Sequence, residues 1–130
     1  MSNKMNYREY GPIILRISLS LVFLWFGLTG VFNTDYLIGY VPDFASNLPI
    51  SLESIVILNG IFEIVLGTLL IIGLFTRIVA FILFLHTLII MFLLGYNDVA
   101  VRDFGLAFAT LAIAFNGPDN WSLDRKYRNK

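Results

Sequence analysis

The sequence predicts an all-α membrane protein, a bundle of four helices that cross the bilayer up, down, up and down. Apolar residues make up 58% of the 130-residue chain and charged residues 14%, whereas soluble domains average roughly 45–50% and about 25%. So short a chain has too little interior to hide this much apolar surface from water. The apolar residues also fall into long runs between short connections, which we treat as one domain covering residues 1–130.

Four segments are predicted to span the hydrocarbon core, which is about 30 Å thick and requires about 20 apolar residues of helix. They cover approximately residues 11–33, 53–74, 77–95 and 99–116. Pro12 is expected in the first turn of the first helix, where its missing N–H costs nothing. The uninterrupted apolar run of the fourth segment, Phe104–Phe115, is short enough for a re-entrant or interfacial piece. We interpret it as a span because an even number of crossings fits the charges.

The basic residues predict the orientation, because cytoplasmic loops are enriched in Lys and Arg. Lys4 and Arg8 precede the first span, and Arg77 lies between the second and third. Four more follow the last span: Arg125, Lys126, Arg128 and Lys130. Both termini are therefore expected in the cytoplasm, in a multi-pass protein of the cytoplasmic membrane. Residues 33–50 and 95–98 are expected on the outside.

Composition excludes several classes of function. The net charge is zero, so electrostatics offers no case for nucleic-acid binding. The chain has no cysteine and one histidine, which excludes thiol chemistry, Cys-ligated iron–sulfur clusters and bis-histidine haem. No nucleophile–base pair, phosphate loop or dinucleotide fingerprint appears. No catalytic or metal-binding residue is predicted, and the chain is not expected to be an enzyme on its own.

Polar side chains within the spans form the candidate site. The predicted intramembrane network consists of Arg16, Asn59, Glu63, His86, Arg102 and Asp103. At 1.5 Å per residue, Glu63 lies about 16 Å, His86 about 13 Å and Arg16 about 7 Å from the cytoplasmic ends of their helices. Glu63 is therefore expected to face the bundle interior and to contact Arg16, His86 or the Arg102–Asp103 pair. Trp25 is the aromatic residue considered as a ligand-facing group.

Two interpretations of this network remain open. A buried ion-pair network can simply fix helix register, and an ionisable residue inside a membrane can equally mark a proton or ligand site. Small residues accompany the polar ones and favour close helix packing. In the fourth span they form two neighbouring stripes, Arg102, Gly105, Ala109 and Ala112 on one, and Asp103, Ala107, Thr110 and Ala114 on the other.

Several short motifs together resemble the DoxX family of small four-helix membrane proteins. In chain order they are Arg16 with Phe26-Gly27-Leu28, Tyr40-Val41-Pro42, Gly60-Ile61-Phe62-Glu63-Ile64-Val65-Leu66-Gly67, Gly73-Leu74-Phe75-Thr76-Arg77, Arg102-Asp103-Phe104-Gly105-Leu106 and Ser122-Leu123-Asp124. Gly30 departs from the family, which often has a lysine there. The wider group includes the membrane subunit of a thiosulfate:quinone oxidoreductase.

The resemblance implies a non-catalytic or quinone-facing subunit, or anchor, of a membrane oxidoreductase assembly. Its expected partners are the lipid bilayer and other membrane subunits, and its expected cofactor is a quinone that is not covalently bound. Two alternatives stay open. One is a small-solute or proton transporter that uses the polar layer around Glu63, and the other is a structural or assembly factor.

Overall fold

The computed structural model describes residues 6–39, 41, 43–94 and 98–128. Within these ranges the chain is helical and contains no strand. The helices are α1 (Tyr7–Phe32), α2 (Thr34–Ile38), α3 (Leu52–Ile72), α4 (Thr76–Leu94), α5 (Asp98–Asn116) and α6 (Leu123–Arg128), with a 3₁₀ helix at Asp43–Asn47. The predicted all-α class is therefore confirmed.

The first helix begins earlier than the apolar run. The Asn6 side chain accepts hydrogen bonds from the backbone N–H groups of Arg8 and Glu9, and the Glu9 carboxylate accepts one from the Asn6 N–H. This reciprocal capping box starts α1 at Tyr7. The prediction that Pro12 lies in the first turn is wrong, because a polar turn precedes the apolar residues and places Pro12 inside the helix.

Within the part of the chain that the structure describes, three helices are long and apolar enough to cross a membrane: Tyr7–Phe32, Leu52–Ile72 and Thr76–Leu93. They correspond to the first three predicted spans. The counterpart of the fourth, α5, is not among the helices that meet this criterion within the described residues. The number of four crossings therefore stays a prediction, as does the side of the membrane on which each end lies.

The long helices run antiparallel to their main neighbours. Arg16, near the start of α1, donates to the carbonyls of Leu70 and Ile71 at the end of α3. Arg77, at the start of α4, donates to the carbonyls of Ala114 and Phe115 at the end of α5. Because α1 also packs on α5 and α3 on α4, the four long helices form a closed bundle.

Close approach of α1 and α3 depends on glycine. A Cβ added to Gly27 would lie 2.8 Å from the Gly60 carbonyl oxygen, and one added to Gly60 would lie 2.7 Å from the Gly27 carbonyl oxygen. Small residues thus bring these two backbones together, as membrane helices allow.

On α5, the stripe through Asp103, Ala107 and Thr110 is the buried one. The expectation that Gly105 also packs is wrong, since no atom of the described residues lies within 4 Å of its Cβ position.

The apolar core lies between all four long helices. It contains Leu19, Phe23, Leu70, Val79, Ala80, Leu83 and Ile113. Large apolar side chains also cover the outside of the bundle, such as Ile14, Leu58 and Phe92, which are 62%, 59% and 73% exposed. Such an apolar exterior is what a hydrocarbon environment requires.

Candidate functional site

Glu63 is the centre of a polar cluster inside the bundle. Its Oε1 accepts a hydrogen bond from Asn59 Nδ2 at 3.0 Å, one helical turn earlier on α3. The same oxygen lies 3.4 Å from Nε2 of His86 on α4. The predicted contact between Glu63 and His86 is thus present. Neither contact uses Oε2, so this oxygen has no hydrogen-bond partner among the described residues.

Arg102 and Asp103 approach the cluster from α5. The Arg102 guanidinium lies 3.4 Å from the Asp103 carboxylate and 5.0 Å from the centre of the Phe26 ring on α1, a cation–π arrangement. The Asp103 side chain is 9% exposed, whereas that of Arg102 is 52% exposed. We call Asn59, Glu63, His86, Arg102 and Asp103 the cavity cluster.

These five side chains line one cavity of about 450 Å³ between the helices. The rest of its lining is mainly apolar and aromatic. It includes Val22, Phe23, Trp25, Phe26, Tyr36, Leu37, Val41, Ile55, Val56, Thr87, Ile89, Ile90, Leu93 and Leu106. The volume falls within the 300–1,000 Å³ typical of small-molecule sites. Trp25 contacts the edges of Phe26 and Tyr36, with ring centres 5.0 and 6.5 Å apart.

Arg16 does not belong to the cavity cluster, contrary to its place in the predicted network. Its Nε and NH2 groups donate to the two carboxylate oxygens of Asp119, at 2.6 and 3.1 Å. Its NH1 group donates to the carbonyls of Leu70 and Ile71 at 3.0 and 2.5 Å. Because Asp119 lies beyond the end of α5, helical spacing could not identify it. We call Arg16, Asp119 and the two carbonyls the closed cluster.

The segment after α5 also holds the α3–α4 turn. The Asp124 carboxylate accepts hydrogen bonds from the backbone N–H groups of Phe75 and Thr76, at 2.8 and 2.7 Å. Gly73 adopts a left-handed conformation beneath Ser122, and a Cβ there would lie 2.3 Å from the Ser122 Cβ. Partial burial opposes ionisation of Asp124, but the backbone donors outweigh it, so the pKa of Asp124 is below its ordinary value of 3.8.

The two clusters differ in what they can do chemically. In the closed cluster both side chains are almost fully buried, and each forms several hydrogen bonds within the protein. In the cavity cluster, Glu63 and His86 line a cavity of about 450 Å³, which is large enough for a small organic molecule. No group of three or more metal-binding side chains converges within the described part of the chain. The cavity cluster is therefore a candidate site for an organic ligand.

The fold and the apolar exterior define a helical integral membrane protein with a ligand-sized cavity among its helices. The family model of DoxX matches residues 11–95, which include nearly all of α1 and the whole of α2, α3 and α4. The chain therefore belongs to the DoxX family. The Arg102–Asp103 and Ser122–Asp124 motifs lie beyond the matched residues. Searches of curated proteins and of solved structures find no match.

Proposed function

We propose that this DoxX-family chain is a quinone-binding subunit of a membrane oxidoreductase assembly. The observation that carries the proposal is the cavity, where the polar groups of the cavity cluster meet an apolar and aromatic lining inside the bundle. A quinone ring has apolar faces and two carbonyl oxygens, and it resides in the membrane. The cavity offers chemistry complementary to each of these features.

The side chains have distinct roles in this proposal. Trp25 and Phe26 offer aromatic surface for the ring. Arg102 and His86 are the hydrogen-bond donors for carbonyl oxygens. Asn59 orients the Glu63 carboxylate through the 3.0 Å hydrogen bond to Oε1. The second oxygen, Oε2, is then the acceptor for a ligand hydroxyl. The cavity therefore holds both donors and an acceptor for a small polar head group.

Glu63 and His86 also supply a route for protons. A bound quinol supplies two electrons, taken up by a redox centre of a partner subunit, and two protons. Glu63 accepts one of these protons and His86 the other, and their 3.4 Å contact lets the two groups exchange protons. Since the chain has no cysteine and a single histidine, the redox centre is assigned to a partner. The chain contributes binding, orientation and proton acceptance.

Fluorescence of Trp25 tests the binding directly. The chain has two tryptophans, and a Trp121→Phe background leaves Trp25, at the cavity, as the only one. Titration with ubiquinone or menaquinone in nanodiscs should quench its emission to saturation at one quinone per chain. Ile90→Phe, which narrows the cavity, should weaken this quenching. Leu58→Phe on the outer surface is the matched control and should leave it unchanged.

Quenching that stays linear and equal in all three proteins would mean that the quinone only partitions into the lipid, and would contradict the site.

A second test addresses the assembly. Gentle solubilisation of native membranes should recover the chain with a redox-active subunit and quinone-dependent electron transfer. Full turnover by the isolated chain would contradict the role of a subunit. Proton-gradient dissipation by the isolated chain, without quinone binding, would instead favour the transporter alternative.

A further inference from the structure

A second apolar groove lies on the outside of the bundle, between α4 and α5. It has a volume of about 420 Å³ and is lined by Ile78, Phe81, Ile82, Leu111, Ala114, Phe115 and Arg77. Its α4 side, from Ile78 to Ile82, is about 6 Å long at the helical rise. Arg77 is the single charged residue in this lining. The groove is thus an apolar channel with a cation at one end.

The Arg77 guanidinium has hydrogen-bonding capacity to spare. Its NH1 group donates to the carbonyls of Ala114 and Phe115, both at 3.3 Å. Its Nε and NH2 groups donate no hydrogen bond to any described residue, and they lie beside Gly117. A Cβ at Gly117 would lie 2.7 Å from both nitrogens. The absence of a side chain at Gly117 lets the guanidinium lie close to the backbone there, and the Arg77 side chain as a whole stays exposed.

Among the described residues, no acid forms an ion pair with Arg77. Asp119 is paired with Arg16 inside the closed cluster, and Asp124 is committed to the start of α4. Arg125 and Lys126 of α6 add further positive charge to the segment that follows α5. An anion with an apolar tail matches both parts of the groove, because Arg binds phosphate oxygens through two N–H groups.

We propose that this groove binds an anionic phospholipid, with the phosphodiester beside the exposed guanidinium of Arg77 and the start of an acyl chain along Ile78, Ile82 and Leu111. The site is separate from the quinone cavity and shares no lining residue with it. A zwitterionic lipid fits the apolar part equally well but gains less from the guanidinium. The groove therefore selects by headgroup charge.

The test is competition between two lipids for the purified full-length chain. Equimolar phosphatidylglycerol and phosphatidylcholine are added in mild detergent, and bound lipid is counted by native mass spectrometry. Phosphatidylglycerol should be retained about fivefold more, the order expected from one basic group near an anionic surface. Arg77→Gln should reduce the ratio toward one, whereas Arg77→Lys should keep most of it.

Two matched controls locate the effect. Arg125→Gln removes a nearby cation that does not line the groove, so the ratio should persist. Ile82→Trp fills the groove and should reduce retention of both lipids, whereas Leu58→Trp, on the outer surface of α3, should not. An unchanged ratio in Arg77→Gln, or unchanged retention of both lipids in Ile82→Trp, would overturn the proposal. If Arg77→Gln fails to fold, Ile82→Trp against Leu58→Trp decides the matter.

Discussion

The closed cluster and the cavity cluster contain similar side chains but differ in burial and in the number of hydrogen bonds that their arginines form. Arg16 is 1% exposed and forms two bonds to a carboxylate and two to carbonyls. Arg102 is half exposed, with a 3.4 Å contact to its acidic neighbour and an aromatic ring beneath it. Buried charges with full hydrogen bonding stabilise a fold, whereas incompletely paired ones beside a cavity favour binding.

The largest expected effect comes from breaking the closed cluster. Asp119→Ala leaves the Arg16 guanidinium buried without its carboxylate, which should cost about 3–5 kcal/mol of unfolding free energy. Denaturant titration in detergent, followed by circular dichroism, measures the loss. Asp35→Ala, at an exposed acid of α2, is the control and should change the free energy by no more than about 0.5 kcal/mol.

Replacing both partners sharpens this result. In a double variant, Arg16→Leu with Asp119→Leu, no charge remains buried, so part of the lost stability should return. A loss in Asp119→Ala no greater than that in Asp35→Ala would show that the ion pair does not hold the end of the bundle together.

Glu63→Gln should separate binding from stability. Glutamine keeps an Oε1 acceptor for Asn59 but loses the charged acceptor for a quinol hydroxyl, so we expect the affinity for the quinol to fall about 10–100-fold, the range for a hydrogen bond to a charged group. Affinity is measured by Trp25 quenching. Glu53→Gln, in the exposed first turn of α3, should have no effect on it. Equal affinities for the two variants would remove Glu63 from the site.

Asp124→Ala should lower the unfolding free energy by about 0.5–2 kcal/mol, because it removes the cap of α4. The pKa of Asp124 is lowered in the folded state. Its stabilisation is therefore present above the ordinary value of 3.8 and lost as the pH falls through the lower folded-state pKa. Melting temperatures from pH 7 to pH 2 should show this acid loss in the native chain. If Asp124→Ala lost the same amount of stability over this pH range as the native chain, Asp124 would not be the group responsible for the acid loss.

The smallest effect is expected at Arg102. Arg102→Gln removes a half-exposed cation–π contact with Phe26, worth about 0.5–1 kcal/mol. Arg16→Gln, the same substitution in the closed cluster, should cost several times more. It removes two hydrogen bonds to Asp119 and two to backbone carbonyls, whereas Arg102 makes a single 3.4 Å contact with Asp103. The same denaturant titration measures both variants. Comparable losses of unfolding free energy would show that the two clusters do not differ in their contribution to stability.

Local periodicity predicted much of this molecule. Glu63 is buried inside the bundle as expected, and equal depth predicted its contact with His86. The Ser51 side chain caps the start of α3, and Gly73 ends the helix in the left-handed conformation. Both residue types are signals of helix ends that a sequence displays. These features depend either on residues within one or two helical turns or on the depth of a residue along its helix. Spacing and depth can both be calculated from the sequence.

Other features depend on residues far apart in the chain. Arg16 and Asp119 are 103 positions apart, and Asp119 lies in irregular backbone where no periodicity applies. The two small-residue stripes of α5 are equivalent in sequence, so only packing distinguishes Asp103 from Gly105. The start of α1 was detectable, because Asn6 and Glu9 have the spacing of a capping box.

Photoaffinity labelling tests the central claim most directly, that the cavity cluster is a quinone site. The purified chain in nanodiscs is illuminated with an azido-quinone, and labelled peptides are mapped by mass spectrometry. We predict labels on cavity-lining residues of α3 and α4, around Asn59 and Ile90, that excess unmodified quinone abolishes. Labels spread over outward-facing residues such as Leu58 and Phe92, and insensitive to competition, would contradict the account.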